Sequence, residues 1–80
     1  MQAIIEADLH GLTLDKARDK VDAVLRTTDM SVYRVRIIHG FNHGTAIRDM
    51  LRREYCMHPK VIRVARGPQE GQTDLILREF

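Results

Sequence analysis

The sequence predicts an α/β chain of the α+β two-layer type, with a β-α-β-α-β-β order, a mixed four-stranded sheet and both helices on one face. Three observations predict it. Apolar and polar residues alternate in short runs, as strands require. In two longer stretches the apolar residues recur at helical spacing instead. Each change of period falls on a glycine, a proline or a short polar cluster.

The first strand runs from Ala3 to Leu9, where Ile5, Ala7 and Leu9 alternate with Glu6 and Asp8 before the chain stops at His10-Gly11. From Leu14 the pattern Leu14, Ala17, Val21, Val24, Leu25 marks a helix with Thr13 as its N-cap; the capping box is incomplete because Lys16 stands where Glu or Gln would close it. A polar break over Thr27 to Ser31 precedes a second strand, Tyr33 to Ile38, which puts Tyr33, Val35 and Ile37 on one face and Arg34 and Arg36 on the other.

A second helix is expected from about Thr45 to Met57, with Ile47, Met50, Leu51 and Tyr55 inward, and it ends at His58-Pro59 because proline pushes the preceding residue out of helical geometry. Val61 to Ala65 reads as a third strand, with Ile62 and Val64 in the core and Arg63 outward. Gly67-Pro68 and Gly71 separate it from the last strand, Thr73 to Leu77. Right-handed crossovers place both helices on one side, leaving the other sheet face bare for Glu6, Asp8, Arg34, Arg36 and Arg63. They also bring the carboxyl ends of the first two strands together, where open α/β sheets hold ligands.

Composition bounds the function. Eighty residues make one domain spanning 1–80, and 44% apolar with 30% charged residues is a globular balance. No run approaches the roughly 18 apolar residues of a membrane span, and the start of the chain lacks signal-peptide character, so a cytoplasmic location is expected. Cys56 is the only cysteine, which excludes an intrachain disulfide and reads as a buried thiol. The net charge is only +2, yet ten of the thirteen basic residues are arginine, whose planar fork suits phosphates.

Two loops carry candidate chemistry. Asp8 and His10 are two apart on a strand and share a face, an arrangement that fixes an imidazole tautomer; an exposed strand-end pair without function is the alternative. Gly11 beside them suggests a turn of positive φ or a close approach. In the second loop Gly40, Asn42 and Gly44 alternate with His39, Phe41 and His43 just before a helix, which makes a phosphate cradle of backbone amides, or else a flexible connection. Arg48 in the first helical turn is placed to close over a phosphate, and Phe41 to stack on a base. His10, His39 and His43 with Asp8 have the donor types for a metal, but their spacing matches no closed structural site, so none is assigned. His58 is read as structural. Arg34, Arg36 and Arg63 form a basic stripe that is either a solvated face or a nucleic-acid surface.

The run Asp8-Leu9-His10-Gly11-Leu12-Thr13, the strand Val35-Arg36-Ile37-Ile38 into His39-Gly40, and then Gly44 and Arg48 resemble the Smr (small MutS-related) domain over nearly the whole chain. The resemblance implies a fold similar to the C-terminal domain of bacterial translation initiation factor three, and binding to DNA or RNA, often with endonuclease activity. The family's Asp-Leu-His-Gly motif falls on Asp8, Leu9, His10 and Gly11, and its His-Gly-x-Gly-x-Gly loop on His39, Gly40 and Gly44. Asn42 stands at the second glycine.

Two hypotheses follow. In the first the protein is a phosphodiesterase of recombination, repair or messenger-RNA and ribosome quality control: Asp8 orients His10, His39 is its acid-base counterpart, loop amides stabilise phosphate charge, and Mg²⁺ or Mn²⁺ assists if the substrate is DNA. In the second the same surface binds DNA, RNA or a ribosome without turnover.

Overall fold

The structure, a computed structural model, describes residues 3–40 and 45–79. Strands β1 (Ala3–Asp8), β2 (Val32–Ile38), β3 (Arg63–Arg66) and β4 (Gln72–Ile76) alternate with helices α1 (Leu14–Thr27) and α2 (Ala46–Glu54), the latter followed by a 3₁₀ turn at Tyr55–Met57. The expected β-α-β-α-β-β order is observed, with strands arranged β1-β2-β4-β3 across the sheet. β1 and β2 are parallel, with Asp8 opposite Ile38, while β4 runs antiparallel to both β2 and β3. The carboxyl ends of β1 and β2 and the β3–β4 hairpin therefore share one end of the sheet.

One core joins the layers. α1 buries Ala17, Val21 and Leu25, one residue per turn, and α2 buries Met50 and Leu51. These pack with Ala7, Leu9, Val35, Ile37 and Leu75 from a single sheet face, so both helices cover the same side. Each fully buried Leu or Ile contributes ~1.5–3 kcal/mol, and in a domain this small few can be spared. Thr13 caps α1 as the sequence indicates, its hydroxyl accepting the Lys16 amide proton at 3.3 Å. At the other end of α1, Lys60 Nζ donates to the Leu25 carbonyl at 2.6 Å, satisfying an end carbonyl that the helix cannot. The helices are tied by Arg18, which donates to both carboxylate oxygens of Glu54 at 2.8 and 2.9 Å, and by the Tyr55 hydroxyl, which donates to Asp22 at 2.6 Å.

Four expectations change. The helix from Thr45 to Met57 is an α-helix only as far as Glu54; its last turn tightens to 3₁₀ before His58-Pro59. Ile62 is 55% exposed rather than in the core: the turn at His58 delivers Val61 inward, its amide bonding the His58 carbonyl at 3.0 Å, and strand alternation starts only at Arg63. Cys56 is exposed rather than buried. The outer sheet face is not bare either. Asp74 and Ile76 lie on it in register with Arg36 and Arg34, and both are buried, Asp74 with the Arg34 and Arg36 guanidinia bonded to its carboxylate. No helix among the described residues is long and apolar enough to cross a membrane.

Candidate functional site

Asp8 closes β1 and His10 follows two residues later, which is why their side chains meet. His10 Nδ1 lies 2.5 Å from Asp8 Oδ1, and the same oxygen accepts the His10 backbone N–H at 3.1 Å. These two bonds, the side-chain one foremost, hold the Asp8 carboxyl below its ordinary range, so it is ionised at neutral pH. An ionised acceptor selects the tautomer with the proton on Nδ1 and leaves Nε2 as a base. The His10 side chain is 71% exposed, and Nε2 has no partner among the described residues. From α1, Lys20 Nζ donates to the Asp8 carbonyl at 2.9 Å and pins the strand end to the helix.

The second loop lies alongside. The Leu9 N–H donates to the Ile38 carbonyl at 2.7 Å, extending the parallel ladder one step past β1. Gly11 and Gly40 have φ of 76° and 77°, the left-handed region in which a Cβ is strained. A Cβ at Gly40 would also stand 3.7 Å from the His10 Cβ, so His10 borders the Gly40 bend. The β3–β4 hairpin closes the same end, its Gly71 carbonyl accepting the His39 and Gly40 amide protons at 2.9 and 3.1 Å.

His39 is differently employed. Its Nδ1 lies 2.8 Å from the Gly40 carbonyl and its Nε2 2.8 Å from the Thr73 hydroxyl. The carbonyl can only accept, so Nδ1 donates and Nε2 accepts from Thr73. Burial lowers the imidazole's proton affinity, and Arg48 and Arg52 lower it further against the opposing Gly40 bond. A neutral, half-buried ring results, with both nitrogens engaged inside the fold. His39 lines two clefts. One, of about 530 Å³, lies between Gly11–Leu14 and the start of α2 at Ala46 and Ile47. The other, of about 340 Å³, is bounded by Arg48 and Arg52 of α2, Arg66 of β3 and the hairpin through Gly71.

The remaining candidates divide. Arg48 is in the first turn of α2, as expected, and its guanidinium approaches Asp49 at 3.4 Å. Arg34 and Arg36, read from the sequence as a basic stripe, instead converge on the buried Asp74 carboxylate at 2.9 to 3.1 Å. Arg63 is paired with Glu79. Phe41, Asn42, His43 and Gly44 lie outside the described residues. Among the described residues, no group of three or more His, Cys, Asp or Glu is placed to hold a metal ion.

Three participants escape sequence reading: Arg52, Arg66 and Thr73. Arg52 is four residues after Arg48 and hence on the same helix face, a signal that was available. Strand parity also separates Arg66 from Arg63, putting it opposite Thr73. Nothing in the sequence pairs Thr73 with His39, 34 residues away.

No curated protein matches the sequence. The crystal structure of the Smr domain of Thermus thermophilus MutS2 matches with a TM-score of 0.81 and 29% identity, over 94% of this chain and 99% of that one. A family model described as the Smr domain matches residues 7–75, a span that holds Asp8, His10, His39 and all the arginines of the smaller cleft, and on this ground the chain belongs to the Smr domain family.

Proposed function

We propose that this domain binds DNA or RNA at the carboxyl ends of β1 and β2 and cuts a phosphodiester bond there. The observation that carries the proposal is the Asp8–His10 couple, an oriented imidazole with a free Nε2 at an exposed strand end beside the Gly40 bend. Family membership and the likeness to the MutS2 domain support a nucleic-acid role; the setting that this reading gives it is recombination, repair or messenger-RNA and ribosome quality control.

In this reading His10 Nε2 takes the proton of the attacking hydroxyl, the 2′-hydroxyl of RNA or a water, as that oxygen bonds to phosphorus and the opposite ester oxygen leaves and is protonated by water; ionised Asp8 stabilises the imidazolium that forms. The Arg48 guanidinium would meet charge developing on the phosphate, since the His39 and Gly40 amides are already given to the Gly71 carbonyl. His39 would have to release Thr73 before it could move a proton, so its part here is to hold the Gly40 bend and the β4 edge in place. Asp8 is the residue of this couple that could hold Mg²⁺ or Mn²⁺, which would supply charge neutralisation to a DNA reaction, although no group of ligands is gathered round it among the described residues.

The commitment of both His39 nitrogens favours one second reading, a module that binds without turnover, because His39, the expected second acid-base group, is then already engaged. Incubation with labelled RNA and branched DNA, with and without Mn²⁺, decides between them. A nuclease yields products that disappear with Asp8→Ala, and a 2′,3′-cyclic phosphate end identifies RNA attack by its own hydroxyl. Binding without product in every lane identifies the module, and cleavage that survives Asp8→Ala overturns the proposed mechanism.

A further inference from the structure

The smaller cleft gathers charge that the fold itself does not use. Arg48 and Arg52 stand one turn apart on α2, Arg66 faces them from the end of β3, and the hairpin closes the far wall. Arg52 and Arg66 make no hydrogen bond or ion pair among the described residues, and Arg48 reaches only its chain neighbour Asp49. Elsewhere Arg18, Arg34, Arg36 and Arg63 all hold carboxylates. Three arginines line this cleft, with Asp49 beside them, which meets Arg48 and more weakly Arg52, and with Glu70 in the wall, so positive charge is in excess and an anion offsets it.

The same cleft offers acceptors. Glu70 lines it, and so does Gln72, whose Oε1 is buried without a hydrogen-bond partner among the described residues. A buried amide end of this kind is met either by water or by a ligand group that reaches it, whichever way the amide is turned. Simple inorganic anions offer charge but few donors; a nucleotide offers a phosphate together with sugar hydroxyls and base amino groups. The volume, about 340 Å³, is at the small end of ligand sites and admits a nucleotide. A cleft of that size takes one nucleotide splayed away from its neighbours, which a single strand permits and a paired duplex resists.

We infer that this cleft is a nucleotide subsite for single-stranded nucleic acid, with the phosphate held by Arg48, Arg52 and Arg66 and the donors of sugar or base meeting Glu70 and Gln72. It rests on the nucleic-acid reading above and adds to it a second grip on the strand, across the Gly40 bend from His10. Arg forks suit this task because they meet phosphate oxygens in pairs.

The test uses the whole chain as wild type, as the double variant Arg52→Ala/Arg66→Ala, and as a control of equal charge change outside the cleft, Arg26→Ala/Arg53→Ala. Binding of a labelled single-stranded oligonucleotide is measured against salt, and adenosine 5′-monophosphate is titrated while the backbone amides of residues 66–72 are followed by NMR. The cleft variant is expected to lose affinity about tenfold per arginine and to flatten the salt dependence by about 1.4 in log–log slope, with the control changing much less. The nucleotide should shift the amides of residues 66–72 in the wild type and not in the cleft variant. Equal losses in the two double variants, or silent amides, overturn the inference. If the oligonucleotide fails to bind the wild type at low salt, the nucleic-acid reading falls, and the monophosphate titration alone decides the cleft: shifts lost in the cleft variant uphold it as a mononucleotide site, and their absence ends it.

Discussion

Two trios of arginine occupy this small domain, and their surroundings put them to opposite uses. On the outer sheet face Arg34 and Arg36 clasp Asp74, which is wholly buried, and Arg63 is paired with Glu79. At the end of the sheet Arg48, Arg52 and Arg66 line a cleft in which Glu70 is the only acid among the described wall residues, and Asp49 is a weak neighbour of Arg48 and Arg52. The first trio is forked onto carboxylates of the chain; the second has Asp49 and Glu70 beside it and, in the inference above, takes its remaining counter-charge from a ligand. A basic patch thus becomes a candidate binding surface only after intramolecular pairing is subtracted, because a guanidinium already forked onto a carboxylate has little left to offer a phosphate.

The contrast between the functional end and the structural face can be broken by experiment. The largest effect is expected at the end: if the phosphodiesterase reading holds, His10→Ala should lower cleavage by about 10²–10⁴-fold with nearly unchanged affinity and stability. Loss of affinity in step with cleavage would make His10 a binding residue instead.

On the face, Asp74→Ala should cost about 3 kcal/mol in urea denaturation, because it strands two guanidinia beside a buried position. The figure is at the low end of what a buried pair costs, since Arg34 and Arg36 keep 31% and 18% of their side-chain surface in water. Arg52→Ala and Arg66→Ala should each change stability by less than about 0.5 kcal/mol. Comparable destabilisation by either set would erase the distinction between the two trios.

A smaller effect belongs to the backbone of the site. Gly40→Ala should cost about 1 kcal/mol in thermal denaturation, from the positive φ alone, because its Cβ would meet the His10 Cβ at an ordinary contact distance of 3.7 Å. An unchanged melting temperature would show that the bend relaxes to another geometry.

The smallest is a pH dependence. His39 takes up a proton less readily in the fold than its ordinary value of 6.5, chiefly through burial. The unfolded chain therefore binds the proton first, so the contribution of neutral His39 is complete above pH 6.5 and is lost as the pH falls from there through its lowered native value. His39→Gln should flatten the stability profile in that window. Asp8, Asp49 and Glu54, all lowered from ordinary values of 3.8 to 4.5, should still act below it.

Much of this was legible in the residue order. Period-two and period-3.6 patterns located all four strands and both helices, and the Asp8–His10 spacing announced its own hydrogen bond, because both depend on neighbours a few positions apart. Ile62 misled because a turn, rather than the strand, sets its side. The arginine stripe misled because parity shows which face a residue takes but not what it meets there.

What the sequence determined by itself was therefore local: the elements, the direction each side chain leaves the backbone, and the glycines at Gly11 and Gly40 where positive φ is needed. Only the tertiary structure decided that Asp74 neutralises Arg34 and Arg36, that Thr73 occupies His39, and that the hairpin brings Arg66 toward Arg48 and Arg52. The reason is separation along the chain: these partners lie from 14 to 40 positions apart, between Arg52 and Arg66 at the near end and Arg34 and Asp74 at the far end. Charge pairing over such distances depends on strand order and register, which no short window of sequence encodes.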